Sequence, residues 1–391
     1  MTGNVSINAD LNFVEKLIGS GSVDLKTCYQ CSTCTVVCPL TPSDLPFPRK
    51  EMLAAQWGLK DRLVKNMDLW LCHNCSDCTD QCPRGAKPSD VMSALRNQTI
   101  EHYSFPSFIS KAAKTFKGNL FLFLIPVIII GLAIYILNVG DDFAFMDTKP
   151  IVYANMMPVV AIDVIFLSAV AFAIFNTLMA MKHFISGLKE QFPRRSDGES
   201  LFNAIKGTII TAFSHDEFKK CGTKKSRNVS HLLMMYGFLG LFITTNLVFV
   251  IHTLHELGFD INDTPLPFFH PVKIIGNISA LAAFIGISAI VLDRLKNSKV
   301  NILSFFDWVF IGNMFLTIAT GILCQIFRVA DYAFLSFFTY YIHLVMVFYM
   351  LAYASQTKFG HIFYRPVAMV YARFSGRNHE IEAMAETVEN T

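Results

Sequence analysis

Six stretches of this chain run almost without charge over lengths that match a lipid bilayer: residues 119–137, 156–181, 231–254, 272–292, 303–327 and 334–357. A spanning helix needs about 20 apolar residues at about 1.5 Å rise each. Inside hydrocarbon every backbone N–H and C=O must be bonded within the structure, which leaves helices or a closed barrel. A barrel would read as short alternating segments, and these runs do not alternate. The expected class is therefore all-α. A content of 53% hydrophobic and 16% charged residues, with 36 Phe among 391 residues, agrees. Pro126 falls inside the first run, where a kink is tolerable if neighbouring groups take up the freed carbonyl.

Lys and Arg between the runs set an expected orientation. They crowd the loop 182–228 ("KHFISGLKEQFPRR", "KKCGTKKSR"), the "DRLKNSK" stretch and the end of the chain, whereas "NVGDDFAFMDTKP" and "HELGFDINDTPLPFFHP" are acidic and nearly free of them. The start, "MTGNVSINADLNFVEKLIG", lacks the basic region and apolar core of a secretory signal. Both termini are expected in the cytoplasm, with the chain as a multi-pass protein of the bacterial cytoplasmic membrane. The expected division is a cytoplasmic domain over 1–118, a six-helix transmembrane domain over 119–365 and a tail over 366–391. A formal net charge of +3 offers no basic field for nucleic acid.

Eight of the ten cysteines lie in the first 82 residues, in "CYQCSTCTVVCPL" and "CHNCSDCTDQCPR". Both read C-x2-C-x2-C-x3-C-P, the run associated with pairs of four-iron four-sulfur clusters, in which the fourth cysteine of each run ligates the other cluster. The expected sets are Cys28, Cys31, Cys34 with Cys82, and Cys72, Cys75, Cys78 with Cys38. Zinc needs only four ligands, so eight cysteines with Pro39 and Pro83 after each run are more than it requires. Disulfides suit an oxidising compartment, which a cytoplasmic domain is not. Cys221 and Cys324 lack partners at ligand spacing and read as ordinary thiols, although Cys324 could line a site near a membrane face. All-protein ligation leaves no substrate position, so the domain reads as a one-electron relay.

A relay docked on a membrane bundle suggests a second one inside it, and haem b held by two imidazoles on facing helices is suited to this. Histidine in a span is costly and is a functional candidate by default. His343 and His361 are five helical turns apart, on one face and ~27 Å along the axis, provided the helix runs past Gly360. His231 and His252 are roughly 60° off one face and ~31 Å apart. Antiparallel packing would pair His231 with His361 and His252 with His343, giving two stacked haems. His255 lies about 120° from the His231 face; it or His270 could replace His252. Some of these histidines could instead be interfacial or hold a quinone headgroup. His270 opens the fourth run, and with Lys273 and Asn277 it forms a candidate quinone site. His183, His215, His102 and His379 read as solvated, and His73 as tuning a cluster.

With both halves read, residues of about 20 to 100 resemble the C subunit of heterodisulfide reductase through the two cysteine motifs. Residues of about 155 to 365 are similar to the membrane haem b subunit of that enzyme and to the gamma subunit of respiratory nitrate reductase. The His343 to His361 spacing and "FGHIFYRP" match the last-helix haem pair of that gamma subunit. The gamma subunit places its other two ligands ten residues apart, and here the residue ten past His231 is Leu241. The fusion, including "SHLLMMYGFLGLF" and "HPVKIIGN", resembles the C-subunit family of quinone-interacting membrane-bound oxidoreductase complexes of sulfate reducers and related sulfur bacteria. This resemblance implies menaquinone as substrate, two flavin- and iron-sulfur-containing cytoplasmic partner subunits, and electron exchange with adenylylsulfate reductase.

The expected fold is thus a small α-helical two-cluster ferredoxin domain followed by a six-helix cytochrome b type bundle. The expected function is a quinone-reacting electron-transfer subunit of a larger oxidoreductase, with no complete reaction from the chain alone. Electrons would pass from menaquinol through two haems b and two clusters to the cytoplasmic partners, or in reverse in sulfur oxidisers. The alternatives are a membrane subunit of a heterodisulfide reductase-like complex using another lipid carrier, and a haem-free iron-sulfur anchor. The chain has no "CCG" sequence of the catalytic heterodisulfide type.

Overall fold

The computed structural model of the chain describes residues 8–22, 24–41, 46–214, 225–259, 265–296 and 304–377. His215, Cys221, His379 and the tail from 378 onward lie outside the described residues, as do parts of the 182–228 loop and of the connections after the third and fourth spans. The described residues form helices and turns, with no strand among them.

The first part is a cluster of short helices: α1 (Leu11–Gly19), α2 (Thr33–Val36), α3 (Arg49–Gln56), α4 (Lys60–Val64), α5 (Asp68–Leu71), α6 (Asp77–Asp80), the longer α7 (Pro88–Tyr103) and α8 (Ser107–Ala113). Asp10 caps α1, its carboxylate accepting from the Phe13 N–H at 2.9 Å, so one orphan donor of the first turn is satisfied. Phe13, Leu17, Leu25, Met52, Met67 and Leu95 are buried in the core that these helices share.

Then follow α9 (Phe116–Asn138), the single turn α10 (Tyr153–Met156), α11 (Val159–Gln191), α12 (Leu201–Ser214), α13 (Lys225–Glu256), α14 (Pro271–Lys296), α15 (Phe305–Val329), α16 (Ala333–Ala352) and α17 (His361–Phe374). Six of these, α9, α11, α13, α14, α15 and α16, are long and apolar enough to cross a membrane. Large side chains such as Phe121, Ile128, Leu178, Phe242 and Ile278 are exposed on them, as lipid contact requires. Hydroxyls inside the spans bond within their own helix: Thr244 to the Gly240 carbonyl, Thr253 to Phe249 and Thr320 to Leu316.

The bundle joins two kinds of packing. On one side α16 lies against α9, α11 and α15, with Phe123 of α9 stacked on Tyr349 at 3.9 Å and the Tyr349 hydroxyl donating to Asn119. On the other, α13 and α14 meet backbone to backbone. A Cβ on Gly237 would lie 2.5 Å from the Ala283 nitrogen, and one on Gly286 would lie 2.5 Å from the Met234 nitrogen. Gly240 opposite Ser279 and Gly276 opposite Thr244 continue this seam of small residues, the usual way two spans approach closely in lipid.

One core runs without interruption from the short helices into the bundle. Trp70 of α5 stacks on Tyr364 of α17 at 4.9 Å, and Phe184 of α11 meets both rings edge-on and touches Tyr103 of α7. α17 also packs on α12, which the reading of 182–228 as a basic loop did not anticipate.

The premise of a continuous sixth helix past Gly360 fails. α16 ends at Ala352, two short 3-10 turns follow (Ala354–Gln356 and Lys358–Gly360), and α17 starts anew at His361. The cause is a run of polar side chains with tertiary partners: Gln356 donates to the Phe105 carbonyl at 3.1 Å, and Lys358 reaches α7 and α15. These contacts outweigh the helix propensity of the segment.

The tightness of the seam can be measured. Gly237→Leu should destabilise the protein by at least about 1–3 kcal/mol through overpacking, read as a lower thermal midpoint in detergent. Gly312→Ala, where an added Cβ meets nothing within 4 Å, should leave the midpoint unchanged or raise it.

Candidate functional site

The two cysteine loops repeat in backbone as well as in sequence. Gln30 and Ser32 have φ of 60° and 71°, and Asn74 and Ser76, at the same places in the second loop, have φ of 53° and 75°. Left-handed non-glycine residues are uncommon, and a pair repeated at equivalent positions marks a backbone bent for a purpose. Each bend leads into a single helical turn, α2 or α6, and these two turns pack on each other.

The packing interleaves the cysteines around two cavities. One is lined by Cys38, Cys72, Cys75 and Cys78 together with His73 and Phe47. The other is lined by Cys28, Cys31, Cys34 and Cys82 together with Arg49 and Arg84. Among the described residues no three Cys, His, Asp or Glu side chains converge as they would on one ion. Sulfur atoms spread around a cavity suit a four-iron cube better than a mononuclear tetrahedral site. N–H donors face the sulfurs: Asn74 N–H to Cys72 and Ala86 N–H to Cys82, both at 3.4 Å, and the Gln30 amide to Cys28 at 3.5 Å. Such bonds tune a cluster's potential. Burial pushes the Cys34 thiol up to about 11 and Cys38 up to about 12, and neighbouring thiols add like-charge repulsion. Cys78 is raised for the same reasons, whereas Thr33 hydrogen bonds lower exposed Cys31. Four thiolates in so small a volume need the positive charge of bound iron.

Behind the loops lies a buried charge network. Asp68 accepts from Lys50 at 3.0 Å and from Arg377, beyond the end of α17, at 3.1 Å. Fully buried Glu51 accepts from Asn66 at 2.8 Å and lies 3.5 Å from Lys50. Burial, with Asp68 adding repulsion, pushes the Glu51 carboxyl up to about 7 despite Lys50 and Asn66.

The second cysteine loop is also where the two modules meet. The Cys72 carbonyl accepts from Arg96 of α7 at 2.5 Å and from Arg365 of α17 at 3.2 Å. Arg365 donates to His73 Nδ1 at 2.9 Å as well. His361 and Arg365 are four residues apart on α17, hence neighbours on one face. Lys358 sits just before them: its ammonium contacts Asp307 of α15 at 2.8 Å, Asn97 at 2.9 Å and Ser93 at 3.2 Å on α7. Asp307 also forms a capping box with Ser304 at the start of α15.

The two late histidines are oriented alike. His361 Nδ1 donates to the Lys358 carbonyl at 2.8 Å, and its ring meets Phe310 edge-on. His343 Nδ1 is 3.1 Å from both the Thr317 carbonyl and the Thr320 hydroxyl, with its ring against Gly321. A carbonyl can only accept, so the proton sits on Nδ1 and the Nε2 lone pair is left for another bond. Iron-ligating imidazoles are held this way. Burial pushes His361 down to about 4, so its imidazole is neutral at ordinary pH. Both rings therefore lie against α15, although no continuous helix joins them.

On α13, Phe238 touches Phe359 across the bundle, at 5.9 Å between centroids. At about 100° per residue, His231 lies within about 20° of the Phe238 direction and His252 within about 40°. His255 is about 100° away, on the glycine face turned to α14. His231 and His252 are half-buried and His255 is exposed. Asp163 of α11 lies within electrostatic range of His252. On α14, His270 Nδ1 accepts from the Val272 N–H at 3.3 Å, the reverse of the His343 and His361 arrangement. The neutral ring then carries its proton on Nε2 and offers a donor. Lys273 and Asn277 are half-buried on the following turns. Cys324 is buried on α15 with its carbonyl bonded by the Tyr153 hydroxyl. His102 and His183 are exposed.

Sequence reasoning missed Lys358, Arg96 and Arg365. Arg365 alone carried a signal, standing one turn past His361 in "HIFYRP"; the other two act through tertiary contacts that no spacing announces.

Residues 24–86 match the Fer4_8 family, the 4Fe-4S dicluster domain, so this part of the chain binds iron-sulfur. The chain is similar to the E subunit of the dihydromethanophenazine:CoB–CoM heterodisulfide reductase of Methanosarcina thermophila, 32% identical over 100 residues that cover 25% of this chain and 38% of that protein. It is also similar to the C subunit of the H(2):CoB-CoM heterodisulfide,ferredoxin reductase of Methanothermobacter thermautotrophicus, 34% identical over 112 residues, 27% of this chain and 60% of that protein. The chain thus spans between 38% and 60% of the length of these curated relatives. No solved structure matches it.

The charge networks set two expectations for stability. Lys358→Met leaves Asp307 buried without its cation and should cost about 3 kcal/mol in urea unfolding, whereas Lys149→Met, in an exposed pair with Asp331, should cost less than about 1 kcal/mol. A carboxyl raised on folding binds more protons folded than unfolded, so its contribution falls as pH rises from 4.5 to about 7. Glu51→Gln should flatten the stability–pH curve in that window, and an unchanged slope would reject the assignment.

Proposed function

We propose that this chain is the membrane electron-transfer subunit of a multi-subunit oxidoreductase, taking electrons from menaquinol through two haems b and delivering them through two [4Fe-4S] clusters to cytoplasmic flavoproteins and on to adenylylsulfate reductase. The observation that carries this reading is the contact of Arg365 with the Cys72 carbonyl and His73, one turn from His361. It joins the cysteine domain to the helix bearing a metal-ready imidazole.

When bound, these groups supply one-electron chemistry, which neither thiols nor imidazoles provide alone. Cys28, Cys31, Cys34 and Cys82 hold the first cluster, and Cys72, Cys75, Cys78 and Cys38 the second. His361 and His343, with Nδ1 anchored on the Lys358 and Thr317 carbonyls, would each hold a haem through the free Nε2. His231 and His252, on the Phe238 side of α13, are the residues of that helix that would hold the haems. His255 is disfavoured by its place on the glycine face, and His270 by the proton its Nε2 carries. That same proton suits a quinone carbonyl, so His270, with Lys273 and Asn277, is the proposed quinone site. The cysteine domain, α12, α17 and both chain ends share the cytoplasmic face, in keeping with the excess of Lys and Arg there.

A second reading has one specific support. Similarity to the E subunit of the dihydromethanophenazine-linked reductase favours a heterodisulfide reductase-like complex using a different lipid carrier. Both readings keep the haem and cluster residues and differ in the electron donor.

The purified chain should show haem b absorbance that reduces on addition of a menaquinol analogue. Reduction only by a phenazine analogue would favour the second reading, and a chain without haem would leave an iron-sulfur anchor. His343→Ala and His361→Ala should each remove about one haem while cluster signals persist; full haem content in both variants defeats the assignment. Cys38→Ser should damage the cluster of the second cysteine run more than the first, and the opposite pattern would reject the crossed ligand sets.

A further inference from the structure

Two guanidinium groups converge on one backbone carbonyl at the boundary between the modules. Arg96 belongs to the cysteine domain and Arg365 to α17, and both donate to the Cys72 carbonyl. The convergence is specific to one loop. The equivalent cysteine of the first loop, Cys28, has its carbonyl bonded by the neutral amide of Gln56 at 3.1 Å. The repeated backbone thus carries positive charge at one cavity rim and a neutral donor at the corresponding place of the other. Two cations line the first cavity: Arg84 lies over the Tyr29 ring at 4.1 Å, on an exposed edge where water screens it, and half-buried Arg49 acts on exposed Cys31, while the Cys28 carbonyl itself is bonded by neutral Gln56. Arg365 and Arg96 are half-buried against Cys72 and close enough to His361 for their charges to act on its ring.

We propose that Arg365 is a positioning residue that, together with Arg96, holds the cluster ligated by Cys72, Cys75, Cys78 and Cys38 at a higher reduction potential than the other, making it the preferred entry point for an electron arriving from the His361 side. This rests on the cluster assignment above. The physical basis is elementary. Reduction adds one negative charge to the cluster, and a fixed positive charge at short range in a poorly hydrated site stabilises that reduced state. A guanidinium keeps its proton throughout, so Arg365 neither gains nor loses charge during transfer. Its second bond, to His73 Nδ1, fixes the fork against the cysteine loop, and its position one turn from His361 ties it to the membrane side.

The test is potentiometric titration of the full-length protein in detergent, with both clusters followed by electron paramagnetic resonance and haem by absorbance. Arg365→Gln should lower the midpoint of the second-run cluster, moving its one-electron equilibrium with the first by roughly tenfold, about 59 mV. The first-run cluster should stay in place. Arg365→Lys, which keeps the charge, should retain most of the wild-type midpoint, a rescue that a purely structural role does not predict. An unmoved midpoint in cluster-loaded Arg365→Gln, or an equal shift of both clusters, overturns the proposal. Should Arg365→Gln load poorly, Arg96→Gln replaces it, since it strips a cation from the same carbonyl; an unmoved midpoint there has the same force. A wild-type protein lacking the two clusters would instead remove the functional reading on which this rests, an outcome visible before any variant is made.

Discussion

The contact of Lys358 with Asp307, Asn97 and Ser93 fixes where the water-facing module and the lipid-facing bundle meet. An ammonium and a carboxylate withdrawn from water hold together only if both are paired and their remaining bonds satisfied. Asp307 meets that condition through its capping box with Ser304, and Lys358 through two oxygens on α7. The ion pair therefore ties a short turn to one helix of each module. The same turn offers its Lys358 carbonyl to His361, so the docking of the modules and the aim of the imidazole are set by one residue. A turn later, Arg365 reaches the Cys72 loop.

The bundle divides its helix faces in a way that leaves room for this arrangement. On α13 the small residues Gly237 and Gly240 are used up against α14, where backbone meets backbone. That contact fixes the rotation of α13 about its axis, because no bulky residue fits the seam. The side bearing His231 and Phe238 then lies about 100–180° away from the seam and turns toward the Lys358–His361 segment. Packing energy on one face thus decides which residues the other presents, and His255, on the seam side, is separated from His252 by this rotation.

Much of this was legible in the sequence. The six spans are stated by long apolar runs, because lipid permits little but a helix there. The cysteine loops are stated by spacing, because cluster ligation fixes intervals of two and three residues. The break after Ala352 was not legible: "AYASQTKFG" carries no proline, and what interrupts it is the pull of Gln356 and Lys358 toward residues more than 50 positions away. α12 was hidden for a different reason. Its apolar residues Leu201, Phe202, Ile205, Ile209 and Phe213 sit among the charges of a long loop and read as part of it. The Arg96 contact at Cys72 was equally silent, since an arginine in the middle of a helix ordinarily reads as solvated, and Arg365 was marked only by its place one turn past His361.

The interrupted helix explains why the modules can share a core at all. Continued as one rod, α16 and α17 would keep residues 353–360 bonded to their own turns, and α17 would run on in line with the span. After the break, α17 lies against α5, α11 and α12. Tyr364 can then stack on Trp70, and Arg377 beyond the helix can reach Asp68 on the same short helix as that tryptophan. Two contacts at opposite ends of α17 resist rocking of one module against the other better than either alone. A fixed distance between His361 and Cys72 is what a one-electron relay requires, and it follows here from polar residues that stop a helix rather than from a ligand that forms one.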